Sequence, residues 1–154
     1  MGRGRDVLGV EQAAAEGFSM IRRFYLNLPV QDVARSRAFF AALGHEFDPQ
    51  FTGEAAACLV MAEGAYVMLL PRERFAQFTT KEIADTARTS AGLISLWRDS
   101  KAEVDAEVDA ALKAGATEAG PPEDLGFMYM RGYYDLDGHG WGVNWMDPNA
   151  KMPG

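Results

Sequence analysis

The chain has few residues of the types that most often carry catalytic chemistry: one cysteine and two histidines among 154 residues. A single cysteine cannot form an intramolecular disulfide, which is typical of a cytoplasmic protein. Cys58 stands in an apolar run and is expected to be a buried small side chain. The net charge of −7 disfavours nucleic acid and anionic membrane surfaces as partners. No apolar run is long enough to cross a bilayer.

Two stretches of the chain, 23–71 and 91–147, repeat one pattern of strand, helix, strand, strand and strand. Each stretch begins with an apolar strand. Its helix ends at a glycine, and another glycine stands at the beginning of its last strand. Duplicated units of this size usually fold as two similar modules with a cleft between them. We therefore divide the chain into an extension (1–19), a first module (20–71), a connector (72–90), a second module (91–147) and a tail (148–154).

The extension and the connector each leave an alternative open. Residues 6–17 have the pattern of a short helix, although translation could instead begin at Met20. In the connector, Phe75, Phe78 and Ile83 have helical spacing, and Thr80 is the candidate N-cap. We expect a space-filling helix there, and the alternative is a lid over the cleft or a dimer contact.

Two groups of residues carry a resemblance to a known family. The first runs from Leu28 to Ser36 (LPVQDVARS) and continues with a Phe-Phe pair and a Leu-Gly pair; the second runs from Gly126 to Tyr129 and from Asp135 to Trp141 (DLDGHGW). With these motifs the chain resembles the vicinal oxygen chelate superfamily, the glyoxalase, bleomycin resistance and extradiol dioxygenase-like proteins. The resemblance covers residues 20–147 and implies an α+β fold, in which two βαβββ modules form a cup-shaped mixed sheet with helices outside.

Active metalloenzymes of this superfamily hold one divalent metal in the cup, with ligands from the first and last strands of each module. The resemblance places four residues of this chain at those positions: Tyr25, Met68, Leu93 and Gly142. A catalytic divalent site needs about three protein donors, and this set does not supply them. A shift of register by one residue gives no better set. We therefore expect no metal cofactor.

Strict alternation along the strands predicts which side chains face the cup. It places Trp141, Val143 and Trp145 toward the helices. The predicted ligand-binding residues are Tyr25, Asn27, Tyr66, Met68, Ser95, Trp97 and Asn144, joined by Tyr129 and Arg131 if their strand turns that face inward. Aromatic and thioether groups with a few polar ones are typical of a small-molecule pocket, although they could also fill the cup completely.

Two further clusters have an ordinary structural interpretation. Asp135, Asp137 and His139 alternate around Gly138, which favours a tight hairpin turn over a metal site. His45 directly follows the end of a predicted helix, where a cation is favourable, so a catalytic role is the weaker interpretation.

Three functions therefore remain open. The first is a metal-free, bleomycin-resistance-like protein that binds a small organic molecule in the cup, and the resemblance implies a homodimer. The second is a metal-dependent lyase, isomerase or dioxygenase of the same superfamily. The third is a non-catalytic interaction protein with a filled cup.

Overall fold

The computed structural model describes residues 19–151. Its strands are β1 (Phe24–Val30), β2 (Glu46–Phe47), β3 (Ala57–Ala62), β4 (Ala65–Pro71), β5 (Leu93–Trp97), β6 (Thr117–Glu118), β7 (Glu123–Asp124), β8 (Met128–Tyr134) and β9 (Gly140–Met146). Its helices are α1 (Val33–Ala42), α2 (Arg72–Ala76) and α3 (Lys101–Lys113). The helix expected over residues 6–17 lies outside the described range. The boundaries of the extension, modules and connector stay a prediction.

The strands form two mixed sheets of the same design. The first has the order β1-β4-β3-β2 and the second β5-β9-β8-β6, with β7 also pairing with β8. In each sheet the opening strand lies parallel to the closing one, β1 to β4 and β5 to β9, while the other pairings are antiparallel. The predicted α+β fold of two similar modules is confirmed. The strand β1, which contains Pro29, is an edge strand, where proline is tolerated.

Both long helices begin directly after a residue whose side chain caps them. The Asp32 carboxylate accepts a hydrogen bond from the Arg35 amide at 3.1 Å, and the Ser100 hydroxyl accepts one from the Glu103 amide at 3.1 Å. The Glu103 carboxylate in turn accepts the Asp99 amide at 2.8 Å, one residue before the expected partner of a capping box. These caps fix where each helix leaves its first strand.

The core lies between the two long helices and the sheets of both modules. Phe40 of α1 packs on Trp141 of β9 with ring centroids 5.0 Å apart, and Phe39 packs edge-on against Tyr133 of β8 at 6.0 Å. The first helix therefore packs against both modules, which share one core. Cys58 is fully buried, and this burial, followed by the nearby Asp48 charge, raises the pKa of its thiol.

The prediction for the connector needs correction. The connector helix is α2, which begins at Arg72 directly after β4, and Thr80 caps no helix. Two short strands, β6 and β7, lie on either side of the Gly120-Pro121-Pro122 sequence, and both pair with β8. Within residues 19–151, the longest helices fall short of what a bilayer-spanning segment requires.

Candidate ligand-binding faces and the junction between modules

Each sheet has one side that the helices cover and one side that they leave free; we call the free sides the open faces. In the first sheet the open face carries Tyr25, Asn27, Tyr66 and Met68, which alternate with buried Val67 and Leu69. In the second it carries Leu93, Ser95, Trp97, Gly142 and Asn144. The predicted alternation therefore describes β1, β4, β5 and β9 correctly. The ligand-binding role of these residues stays a prediction.

On the first open face, two tyrosines form a stacked pair. Tyr25 and Tyr66 are partners across the parallel β1 and β4 strands, and their rings lie 4.8 Å apart with planes inclined by 19°. Tyr25 remains 37% exposed. The outer faces of such a pair suit a flat apolar or aromatic molecule.

On the second open face, large apolar side chains stand in solvent beside small polar ones. Leu93 is 71% exposed and Trp97 is 58% exposed. A Cβ atom added at Gly142 would lie 3.6 Å from the Ser95 hydroxyl oxygen and 3.6 Å from the Asn144 amide nitrogen, which is ordinary contact distance. Gly142 therefore leaves room above a polar patch formed by Ser95 and Asn144.

Tyr129 and Arg131 lie on the helix-covered side, so their predicted contribution to the ligand-facing surface is not supported. The antiparallel register pairs Arg131 with Val143, and paired residues point to the same side. The open-face residues of β8 are Met128, Met130, Gly132 and Tyr134, which the sequence interpretation missed. The sequence could have identified them: a hairpin centred on Asp137 pairs Tyr134 with Gly140, and this register places Tyr134 on the same side as Gly140.

Arg131 is held by carboxylates of its own module. Its guanidinium lies 2.9 Å from Asp105, 2.9 Å from Asp109 and 3.1 Å from Glu118. The Tyr129 hydroxyl donates to Asp105 at 2.7 Å, and this hydrogen bond, together with Arg131, lowers the pKa of the Asp105 carboxyl. These contacts anchor α3 on β8. They also occupy both terminal nitrogens of the guanidinium, so Arg131 is not available to bind a ligand carboxylate.

The residues present do not fit the metal that the superfamily's enzymes use. Tyrosine, thioether, leucine and glycine occupy the four positions that supply ligands in those enzymes, and divalent metals favour imidazole and carboxylate donors. Nor does the described part of the chain contain any group of three or more His, Cys, Asp or Glu side chains arranged to hold a metal ion.

The hairpin from Asp135 to His139 is a turn, as predicted. Gly138 has φ +84°, and the Asp135 carboxylate accepts the backbone amides of Asp137 and His139 at 2.9 and 3.0 Å. It also accepts the Trp141 indole N–H at 2.9 Å. Burial nevertheless raises the pKa of Asp135.

The same hairpin joins the two modules. The His139 Nε2 atom lies 2.8 Å from the Pro29 carbonyl oxygen. The Asp137 carboxylate accepts the Gln31 amide at 2.8 Å and the Ser36 hydroxyl at 3.2 Å. These partners belong to the β1–α1 turn of the first module, so the hairpin fixes how the modules sit on each other.

A buried ion cluster forms a second link between modules. Glu107 of α3 receives a bidentate contact from Arg98, at 2.7 and 3.1 Å, and its Oε1 atom lies 2.8 Å from His45 Nε2. Both His45 and Glu107 are more than 90% buried as side chains. His45 therefore does more than follow a helix end: it brings the end of α1 onto α3. Sequence reasoning missed Glu107 because its partners are distant in the chain.

Comparison with known proteins gives a match to a family model in the first part of the chain and matches to solved structures over most of its length. The family model described as bleomycin resistance protein-like N-terminal matches residues 22–62. No curated protein matches the chain in sequence.

Three solved structures illustrate the likeness of fold. A hypothetical protein of S. aureus is 26% identical, with a TM-score of 0.70, and the match covers 82% of this chain and 95% of that one. A glyoxalase/bleomycin resistance protein/dioxygenase family enzyme from Burkholderia phytofirmans is 20% identical, with a TM-score of 0.65 and coverage of 79% and 96%. The fosfomycin resistance protein of Mesorhizobium loti is 16% identical, with a TM-score of 0.60 and coverage of 82% and 93%.

These likenesses span both modules, whereas the family model covers only the first. Together with the paired mixed sheets, they bear out the resemblance seen in the sequence: the chain has the fold of the vicinal oxygen chelate superfamily and carries its bleomycin-resistance-like N-terminal segment.

Proposed function

We propose that this chain is a bleomycin-resistance-like protein that binds a small organic molecule against its open faces without a catalytic metal. The observation that carries the proposal is the accessible tyrosine stack on the first open face. An exposed stack adds nothing to a closed core, but it offers a flat surface to an aromatic or otherwise planar ligand. We propose that no metal takes part because the residues at the four metal-ligand positions of the superfamily are poor donors for a divalent metal.

A second part of the proposal is that a homodimer closes these faces. Leu93 and Trp97 lie four residues apart, on the same face of β5, and are both mostly exposed. Neighbouring apolar side chains of this size on a sheet face commonly mark an interaction surface. A second copy would turn the open faces into an enclosed pocket. We place the protein in the cytoplasm because its one cysteine is buried and reduced.

Ligand binding is tested with bleomycin as the first probe, followed through tryptophan fluorescence and thermal shift. Tyr66→Ala removes half of the stack and is expected to weaken binding about tenfold, since an aromatic pair contributes about 0.5–1.5 kcal/mol. Phe51→Ala is the control, because Phe51 is an aromatic side chain that is 44% exposed, close to the 37% of Tyr25 in the stack, but lies outside the open faces. Equal loss in both variants, or no probe of a planar-ligand panel binding at all, would refute the open faces as the site.

Metal content separates this proposal from a metal-dependent lyase, isomerase or dioxygenase. Protein purified without a metal-affinity tag and dialysed is expected to contain no stoichiometric zinc, nickel, iron or manganese. Retention of one metal per chain, with an activity that a chelator removes, would establish the enzyme instead.

The homodimer is tested by sedimentation over a concentration series. Trp97→Glu should give a monomer, while Phe78→Glu, which changes a side chain of similar exposure (61%) on the connector, should leave the dimer intact. A wild-type monomer at all concentrations would remove this part of the proposal.

A further inference from the structure

A cavity lies between the two modules and borders the open faces at Asn27 and Leu93. Its volume is about 370 Å³, within the range of small-molecule sites. Leu28 of β1, Ile94 of β5 and Ile83 of the connector contribute to its walls. Because β1 and β5 are edge strands, the cavity lies along two sheet edges that no other strand covers. Among the predicted ligand-binding residues only Asn27 reaches it.

The walls of this cavity carry no Asp, Glu, Lys or Arg among the residues that the structure describes. This is notable in a chain in which 24% of residues are charged. A charged ligand group would lose its hydration there without gaining an ionic partner, at a large cost in free energy. The cavity therefore selects against ions and suits a neutral, largely hydrocarbon molecule.

The polar side chains of the cavity point to one kind of hydrogen bond. The hydroxyls of Thr86, Thr89 and Ser90 each donate to a backbone carbonyl oxygen, at 2.6, 2.9 and 3.3 Å. Their protons are therefore already in use, and what remains on each oxygen is lone-pair capacity. These groups can accept a hydrogen bond from a ligand more readily than they can donate one.

His139 lines the same cavity, on the wall shared by both modules. Its Nε2 atom lies 2.8 Å from the Pro29 carbonyl oxygen, and a carbonyl can only accept, so this contact occupies the Nε2–H donor of the ring. His139 therefore does not offer that donor to a ligand.

We propose that this cavity is a second small-molecule site, specific for a neutral, mostly hydrocarbon ligand that carries a hydroxyl or N–H donor, such as a phenol, an alcohol or an arylamine. A ligand there contacts β1, β5 and the connector at once. It binds the folded junction and not the unfolded chain, so it also raises the melting temperature.

The test uses two fluorescent probes that share one skeleton and differ in charge. N-phenyl-1-naphthylamine is neutral and has one N–H donor, and 1-anilinonaphthalene-8-sulfonate is the same molecule with a sulfonate group. We expect the neutral probe to bind at least tenfold more tightly, with a rise in melting temperature. Equal or tighter binding of the sulfonate would overturn the proposal.

Filling the cavity locates the binding. Gly92 lines it, and a Cβ atom at Gly92 would meet no atom within 4 Å, so Gly92→Phe is expected to fold and to weaken the neutral probe more than tenfold. Ala91→Phe is a second filling variant. Gly53→Phe is the matched control, since a Cβ at Gly53 is equally unobstructed and lies outside the cavity.

Three results would overturn the proposal: unchanged binding in both filling variants, equal loss in the Gly53→Phe control, or loss in Tyr66→Ala, which would assign the probe to the open faces. A probe affinity that falls as the protein concentration rises would show instead that a second copy covers the cavity. The filling variants leave the tyrosine stack intact, so failure here does not bear on the proposed function.

Discussion

The helix-covered side of the second sheet and its open face both carry tryptophan, but in opposite settings. Trp141 is 1% exposed, packs on Phe40 and donates its indole N–H to Asp135, whereas Trp97 is 58% exposed. Both belong to strands of regular alternation, so strand pattern does not distinguish them. The difference is whether a helix covers that side, which shows that hydrophobicity alone does not mark this protein's own core.

The polar groups divide in the same way. The covered side and the junction contain Glu107, Asp135 and His139, each nearly buried and each in contact with a partner. On the open face, Ser95 is exposed, whereas Asn144 is only 8% exposed and borders the space above Gly142. Buried polar groups without partners are costly, so those on the covered side have positioning roles. On the open face the Ser95 hydroxyl remains accessible to a ligand.

The sharpest test of this comparison introduces the same carboxylate on either side of β9. Val143→Glu puts a larger, charged side chain at a position with no exposure, and its cross-strand neighbour Arg131 is already held by three carboxylates, so the substitution should destabilise the fold by about 4–5 kcal/mol. Gly142→Glu, one residue earlier, should fold with a melting temperature within a few degrees of the wild type. Chemical denaturation measures both, and comparable destabilisation would show that the sides are assigned wrongly.

Glu107→Ala should give the next largest effect. It leaves Arg98 and His45 without their shared carboxylate, and breaking a buried pair costs about 3–5 kcal/mol. Glu63→Ala, in an exposed turn, is the control and should cost almost nothing. An equal, small effect in both variants would show that the cluster does not link the modules.

The same cluster predicts a pH dependence. Two effects act on the pKa of Glu107: burial raises it, and the neighbouring His45 and Arg98 side chains lower it. The lowering effect is the larger one in sum, so the pKa in the folded state lies below the ordinary 4.5. The folded state therefore binds fewer protons than the unfolded one, and this stabilisation is present above pH 4.5 and is lost as the pH falls through the folded pKa. Glu107→Gln should flatten the dependence of unfolding free energy on pH in that acidic range.

Asp137→Ala should have an intermediate effect. It removes the acceptor for the Gln31 amide and the Ser36 hydroxyl, and each hydrogen bond contributes about 1 kcal/mol, which gives a loss of about 1–2 kcal/mol. Asp147→Ala removes only a local turn contact to Asn149 and is the control. A loss confined to the Asp147 variant would contradict the role of the hairpin at the junction.

The smallest change in monomer stability is expected on the open face. Trp97→Ala removes a mostly exposed side chain and should change the unfolding free energy of dilute protein by less than about 0.5 kcal/mol. If the proposed homodimer forms, the destabilisation grows with protein concentration, because the dimer then stabilises the wild type by mass action. A large effect at all concentrations would place Trp97 in the monomer's own packing.

The sequence by itself determined the local features: the order of strands and helices, the caps at Asp32 and Ser100, and the turn at Gly138. These depend on side chains within a few residues of the backbone they act on, and alternation depends only on the strand's period of two. For the same reason the facing of Tyr25 and Met68 could be predicted from single strands.

The tertiary structure alone decided what depends on pairing between distant segments. The β8 register turned Tyr129 and Arg131 toward α3, and contacts across more than 60 residues brought His45 to Glu107 and His139 to Pro29. The cavity under the connector likewise arises only where two sheet edges meet. No local pattern encodes such contacts, because their geometry is set by how the two modules pack, and the side chains that fix this packing are far apart in the chain.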